Sequence, residues 1–144
     1  MREFVKNTYK IRLWGLMALL IAAGAAHLIM PTFFYPLFPE TFPFKMFLIL
    51  LTGPLEFIMA YGLYRKQTRK LYARLTALWF ILLTPFHINM ALSHETFNGI
   101  PNEYVKEFLW ARVLLQMVFV IWAQSIMPRK RMRNKVLRTN LKSV

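Results

Sequence analysis

Residues 46–64 read MFLILLTGPLEFIMAYGLY, and Glu56 is the only charge in the run. An α-helix needs about 20 mostly apolar residues to cross roughly 30 Å of hydrocarbon. The run shows none of the period-2 alternation of a barrel strand. Backbone polar groups in lipid must be satisfied within the segment, so a helix is expected. Three further runs of this kind lie on either side of it: Leu13 to Met30, about Leu71 to Leu92, and about Phe108 to Met127. The expected fold is therefore all-α, a bundle of four transmembrane helices.

Composition agrees. The 144 residues suffice for one domain; 57% are apolar and 17% charged, against about 25% charged in an ordinary soluble domain. There is no cysteine and no Asp. Thiol catalysis, structural disulfides and Cys-type zinc or iron–sulfur sites are thereby excluded. The net charge of +13 could suggest nucleic acid. The basic residues instead flank the apolar runs, which argues against nucleic acid and for a bilayer.

Their distribution sets an expected orientation. Arg2, Lys6, Lys10 and Arg12 precede the first run, and only Lys45 lies between the first and second. Arg65, Lys66, Arg69 and Lys70 separate the second from the third. Lys106 stands alone against Glu95, Glu103 and Glu107 before the fourth, and the tail is strongly basic. Lys and Arg accumulate in cytoplasmic loops, so both termini are expected to be cytoplasmic. The expected organisation is a basic flank (1–12), a membrane domain (13–127) and a basic tail (128–144) that faces anionic lipids. An alternative reading of residues 1–25 is a cleavable signal peptide ending near Ala23-Gly24-Ala25. The apolar stretch continues past that point to Met30, which favours a retained helix.

The segment after the first run holds Pro31, Pro36, Pro39 and Pro43 among Phe33, Phe34, Tyr35, Phe38 and Phe42. Four prolines so close together cannot be helical throughout. A stiff interfacial cap over the bundle is one reading, and a plain connector is the other.

Ionisable residues inside a span are costly to keep and are functional candidates by default. Glu56 lies mid-span, His27 near the end of the first run, His87 and Asn89 in the last third of the third. Arg112 is about one turn into the fourth run, and Gln116 shares its face. Glu56 is flanked at helical spacing by Thr52, Gly53 and Ala60, and His27 by Ala23 and Gly24. Small residues permit close helix approach, so these faces should point inward. Pro85 shares a face with Asn89. His87 and Asn89, two apart, face roughly opposite ways, so one pocket should not take both.

Three uses of these groups compete: interhelical hydrogen bonds that serve the fold alone, an enclosed site for a polar ligand or proton, and ligation. Bis-histidine haem between His27 and His87 is conceivable by depth, but nothing else marks a haem pocket. Metal ligation would need more than Glu56 and two histidines. No Ser–His–Asp set, phosphate loop or paired carboxylate is present, so no catalytic residue is assigned.

These residues resemble the DoxX-like family of small four-helix membrane proteins, over about Leu13 to Met127. The likeness rests on Ala26-His27 with Pro31 following, the Pro39 and Pro43 loop, the block Gly53-Pro54-Leu55-Glu56, and Gly62-Leu63. It continues with Pro85 and Asn89, His94, and the Arg112 and Gln116 pair. The resemblance implies a four-helix bundle of the bacterial inner membrane, with some relatives associated with redox chemistry of sulfur compounds, thiols or quinones. Without cysteine, a quinone or a partner protein would have to carry the electrons. The expected function is a non-catalytic accessory subunit of a membrane redox system that holds a small polar or quinone-like ligand. Glu56 is its expected central acid or donor, with Arg112, Gln116, Asn89 and His27 as ligand contacts. The alternatives are a small proton-coupled transporter or exporter component, and a structural or assembly protein.

Overall fold

A computed structural model describes residues 2–39, 41–92 and 96–127. The expected basic tail 128–144, His94 and Glu95 lie outside the described residues. Four long helices follow one another: α1 (Arg2–Ile29), α2 (Lys45–Tyr64), α3 (Arg69–Leu92) and α4 (Asn102–Ser125). All four are long and apolar enough to cross a membrane. α1 starts at Arg2 and runs unbroken through the basic flank. Pro31–Leu37 is a 3-10 helix.

One element departs from the all-α expectation. β1 (Thr96–Phe97) and β2 (Ile100–Pro101) pair antiparallel. Between them Asn98 and Gly99 have φ of 50° and 85°, the left-handed pair that a tight two-residue hairpin turn demands. Phe97 is buried and seats the hairpin on the bundle.

The chain has two distinct ends. The basic end carries the start of α1, the α2–α3 turn and the finish of α4. The capped end carries the 3-10 helix and the hairpin. α1 packs along α2, α3 packs along α4, and α2 with α3 joins the two pairs. α1 and α4 touch far less than these three pairs do. Among the described residues, two hydrogen bonds join them, both at the basic end. Trp122 Nε1 donates to Arg12 O at 2.9 Å, and the Tyr9 hydroxyl reaches Ile126 O at 3.5 Å.

Glycines set the closest approaches. A Cβ on Gly24 would come within 2.9 Å of Gly53 O, and one on Gly53 would come within 2.9 Å of Gly24 O. α1 and α2 therefore cross backbone to backbone, the contact small residues allow where lipid offers no hydrophobic drive between helices. At the α2–α3 turn the Tyr72 ring lies where a Gly62 side chain would be. That turn also satisfies the carbonyls at the end of α2. Thr68 Oγ1 donates to Gly62 O at 2.9 Å, and Arg69 donates to Leu63 O at 2.7 Å and Tyr64 O at 2.9 Å.

Two apolar clusters fill the interior. The one toward the basic end includes Leu16, Leu20, Leu63, Ala73, Phe80 and Ala123. The one toward the capped end includes Leu37, Phe38, Ile49, Met90, Leu109 and Val113. The outward faces are apolar too: Leu114 is 68%, Ile121 67%, and Leu78 and Leu82 60% exposed. Apolar surface on that scale is foreign to a soluble monomer and fits a lipid surround.

Candidate functional site

Between the two clusters lies a polar layer. His27, Glu56, His87 and Gln116 are buried and Arg112 is half-buried. All five line one cavity of about 290 Å³. Its apolar walls include Leu19 and Leu20 of α1, Ile49 of α2, Phe80 and Leu83 of α3, and Leu115 and Phe119 of α4. Phe34, Leu37 and Phe38 close it from the 3-10 helix and just beyond, so the proline-rich segment does act as a cap. Phe34 stacks on His27 with centroids 3.9 Å apart, and Phe38 packs on Phe86 at 5.0 Å.

Two groups of side chains face each other across this space. On α3 and α4, His87 Nδ1 is 2.9 Å from Leu83 O. A carbonyl only accepts, so Nδ1 carries the proton and donates. The neutral ring then presents a lone pair at Nε2. Arg112 Nη2 lies 3.4 Å and Gln116 Nε2 3.2 Å from that atom. Gln116 Nε2 is also 3.1 Å from Nδ1, but two donors make no bond there. Among the described residues no carboxylate pairs with Arg112. Its guanidinium offers five donors in a fixed fork, and among the described residues its one side-chain partner is the His87 imidazole.

On the other side, Trp79 Nε1 donates to Glu56 Oε1 over 3.4 Å. His27 Nε2 lies 3.8 Å from the same oxygen, too far for a direct hydrogen bond. His27 Nδ1, Glu56 Oε2 and Gln116 Oε1 are buried and find no hydrogen-bond partner among the described residues. Each buried polar atom left unpaired costs about 1–3 kcal/mol. Three around one cavity, beside an uncompensated cation, make a site whose polar needs the protein alone does not meet.

Four of the five expected site residues meet here: Glu56, Arg112, Gln116 and His27. Asn89 does not join them. It is exposed, as is Pro85 on the same face, and His87 occupies the place beside Arg112 and Gln116. Helix phase explains this. At about 100° per residue, Asn89 stands about 160° from buried Ala73, whereas His87 stands about 40° from it. Sequence gives no sign of Trp79, an indole one turn after buried Thr76 and next to buried Phe80. No group of three metal-ligating side chains is assembled among the described residues. Both ring nitrogens of His87 are engaged within the bundle, Nδ1 by Leu83 O and Nε2 by Arg112 and Gln116.

A family model described as "Domain of unknown function (DUF8561)" matches residues 16–127. The chain belongs to the DUF8561 family. No curated protein and no solved structure matches it. The match reaches from the core of α1 past the end of α4, so every cavity residue lies within the DUF8561 domain. The function of this DUF8561 chain must therefore be argued from its own geometry.

Proposed function

We propose that the chain is a multi-pass protein of the bacterial inner membrane, with both termini cytoplasmic, that binds a small amphipathic ligand in its central cavity. The reading includes kinship with DoxX-like proteins and a non-catalytic, accessory place in a membrane redox system. The observation that carries it is Arg112, a guanidinium that among the described residues has no carboxylate partner, in a cavity where three other polar atoms find no partner among those residues. Such a fork suits a carbonyl or anionic head group. The Leu and Phe walls suit a ring or short apolar body, and a quinone-like molecule has both parts. Arg112 and Gln116 would hold one polar end, with Glu56 and His27 available to the other. The chain has no redox group of its own among its side chains, so electrons would have to pass through the ligand and a partner.

The test is native mass spectrometry of the gently extracted protein. A retained small molecule with a carbonyl or anionic head is expected, and Arg112→Leu should lose it. A cavity empty in the wild type under every mild extraction would remove the proposal. Topology is checked separately. A reporter active only outside the membrane, fused at Val144, should be silent, and strong activity there would refute cytoplasmic termini.

One observation favours a second reading. His27 and Glu56 sit 3.8 Å apart, close enough for one water or ligand oxygen to bridge them and pass a proton. Uptake or efflux that follows pH and vanishes in Glu56→Gln would select the proton-coupled transporter over the accessory subunit.

A further inference from the structure

A second hollow, of about 980 Å³, opens at the basic end between the first turns of α1 and the α2–α3 turn. Its floor is Leu13, Trp14 and Met17, and Tyr64 forms a side wall. The Trp14 and Tyr64 rings meet edge to face with centroids 6.2 Å apart. Lys10, Arg65 and Lys66 form the rim. Lys10, Leu13, Trp14 and Met17 recur at the spacing of one helix face. The groove thus runs from a charged mouth about 10 Å along α1 into the apolar span.

The cations at the mouth reach solvent, Arg65 with its guanidinium 5.8 Å over the Tyr61 ring. Arg69 also borders the groove, but its guanidinium is bonded to the last carbonyls of α2. Lys10, Arg65 and Lys66 are exposed, and among the described residues none pairs with a carboxylate. Among the described residues no acid lines the groove. An occupant must therefore be negative at one end and apolar along the rest, and the apolar part must enter from the depth where only lipid chains are available.

We propose that this groove holds one anionic phospholipid. Its phosphate sits among Lys10, Arg65 and Lys66, and an acyl chain lies along Leu13, Trp14 and Met17. A free phosphate ester would satisfy the rim and leave the apolar floor unused. A zwitterionic lipid would bring its own ammonium into a mouth that is already cationic. Clusters of Lys and Arg beside membrane helices attract anionic head groups by about fivefold in affinity per residue. The site is independent of what the central cavity holds and depends only on the chain residing in a bilayer.

The experiment is native mass spectrometry of the full chain in mild detergent. It is titrated with phosphatidylglycerol, with phosphatidylcholine of the same acyl chains, and with glycerol 3-phosphate. One phosphatidylglycerol should be retained at least tenfold more tightly than phosphatidylcholine, with no retention of glycerol 3-phosphate. Lys10→Gln with Lys66→Gln should weaken that retention by about thirtyfold, and Lys66→Gln alone by about fivefold. Lys70→Gln with Arg74→Gln removes equal charge from exposed positions at the same end but outside the groove. That pair should weaken retention less than about threefold. Equal losses in the two double variants would mean diffuse attraction and overturn the site. Equal retention of the two lipids, or glycerol 3-phosphate bound as tightly as phosphatidylglycerol, would overturn it as well. A chain that stays monodisperse without detergent would refute the membrane reading itself, a result distinct from failure of the groove.

Discussion

The basic end and the middle of the bundle are built from the same four helices and treat polar groups in opposite ways. At the basic end polar side chains close backbone needs. Thr68 and Arg69 take up the carbonyls at the end of α2, and Trp122 ties α4 to α1 through Arg12 O. In the middle, among the described residues, His27, Glu56 and Gln116 each keep a buried atom unpaired, and no carboxylate pairs with Arg112. A fold that satisfies its backbone so closely at one end is able to do so, and the middle departs from that pattern around a hollow. The difference separates residues that hold the bundle from residues that await something else.

The sharpest way to break that division is at the basic end. Gly62 has the Tyr72 ring where its side chain would be. Gly62→Val should force the α2–α3 turn apart and destabilise by about 3 kcal/mol, the upper range for overpacking. Thermal melting in detergent would register this as a large drop or as failure to fold. An unchanged melting temperature would show that the turn is not fixed by this contact.

Next in size is the contrasting case. Arg112→Leu removes a cation without a carboxylate partner, and burying an unpaired charge is costly. The melting temperature should hold or rise while retention of the cavity ligand falls at least tenfold. A sharp loss of stability with the ligand retained would place Arg112 among the structural groups and erase the contrast between the two regions. Trp122→Phe should show the reverse pattern. Loss of the hydrogen bond to Arg12 O should cost about 1 kcal/mol, with ligand retention unchanged.

Much of this was legible in sequence, for physical reasons. Helix length and orientation of the inward faces follow from apolar runs and small residues, so Glu56 beside Gly53 and His27 beside Gly24 were expected inside and are found there. The spacing of Arg112 and Gln116 placed them together. What sequence left hidden depends on pairing between helices. Nothing local says that Gly24 and Gly53 face each other, or that Tyr72 folds back on Gly62. The hairpin does have a local signal, since Asn98-Gly99 is a strong turn pair, but it lies between apolar spans and adds nothing to their pattern. The choice between His87 and Asn89 turned on phase. Pro85 and Asn89 were correctly placed on one face, and that face points outward.

Asn89 gives the finest test, because the expected effect is nearly nothing. It is exposed, lines no part of the cavity, and sits on the face opposite Ala73. An exposed substitution away from caps, networks and special backbone changes stability by about 0.5 kcal/mol or less. Asn89→Leu should therefore leave both the melting temperature and ligand retention where they were, and on a lipid-facing surface it could gain slightly. His87→Leu, two residues earlier, removes the acceptor that Arg112 and Gln116 share and should reduce retention severalfold. The pair of variants isolates helix phase from residue type, since both remove a polar group at nearly the same depth. If Asn89→Leu loses the ligand as Arg112→Leu does, α3 must rotate by nearly half a turn when the site is occupied. The division between structural and awaiting groups would then describe only the empty bundle.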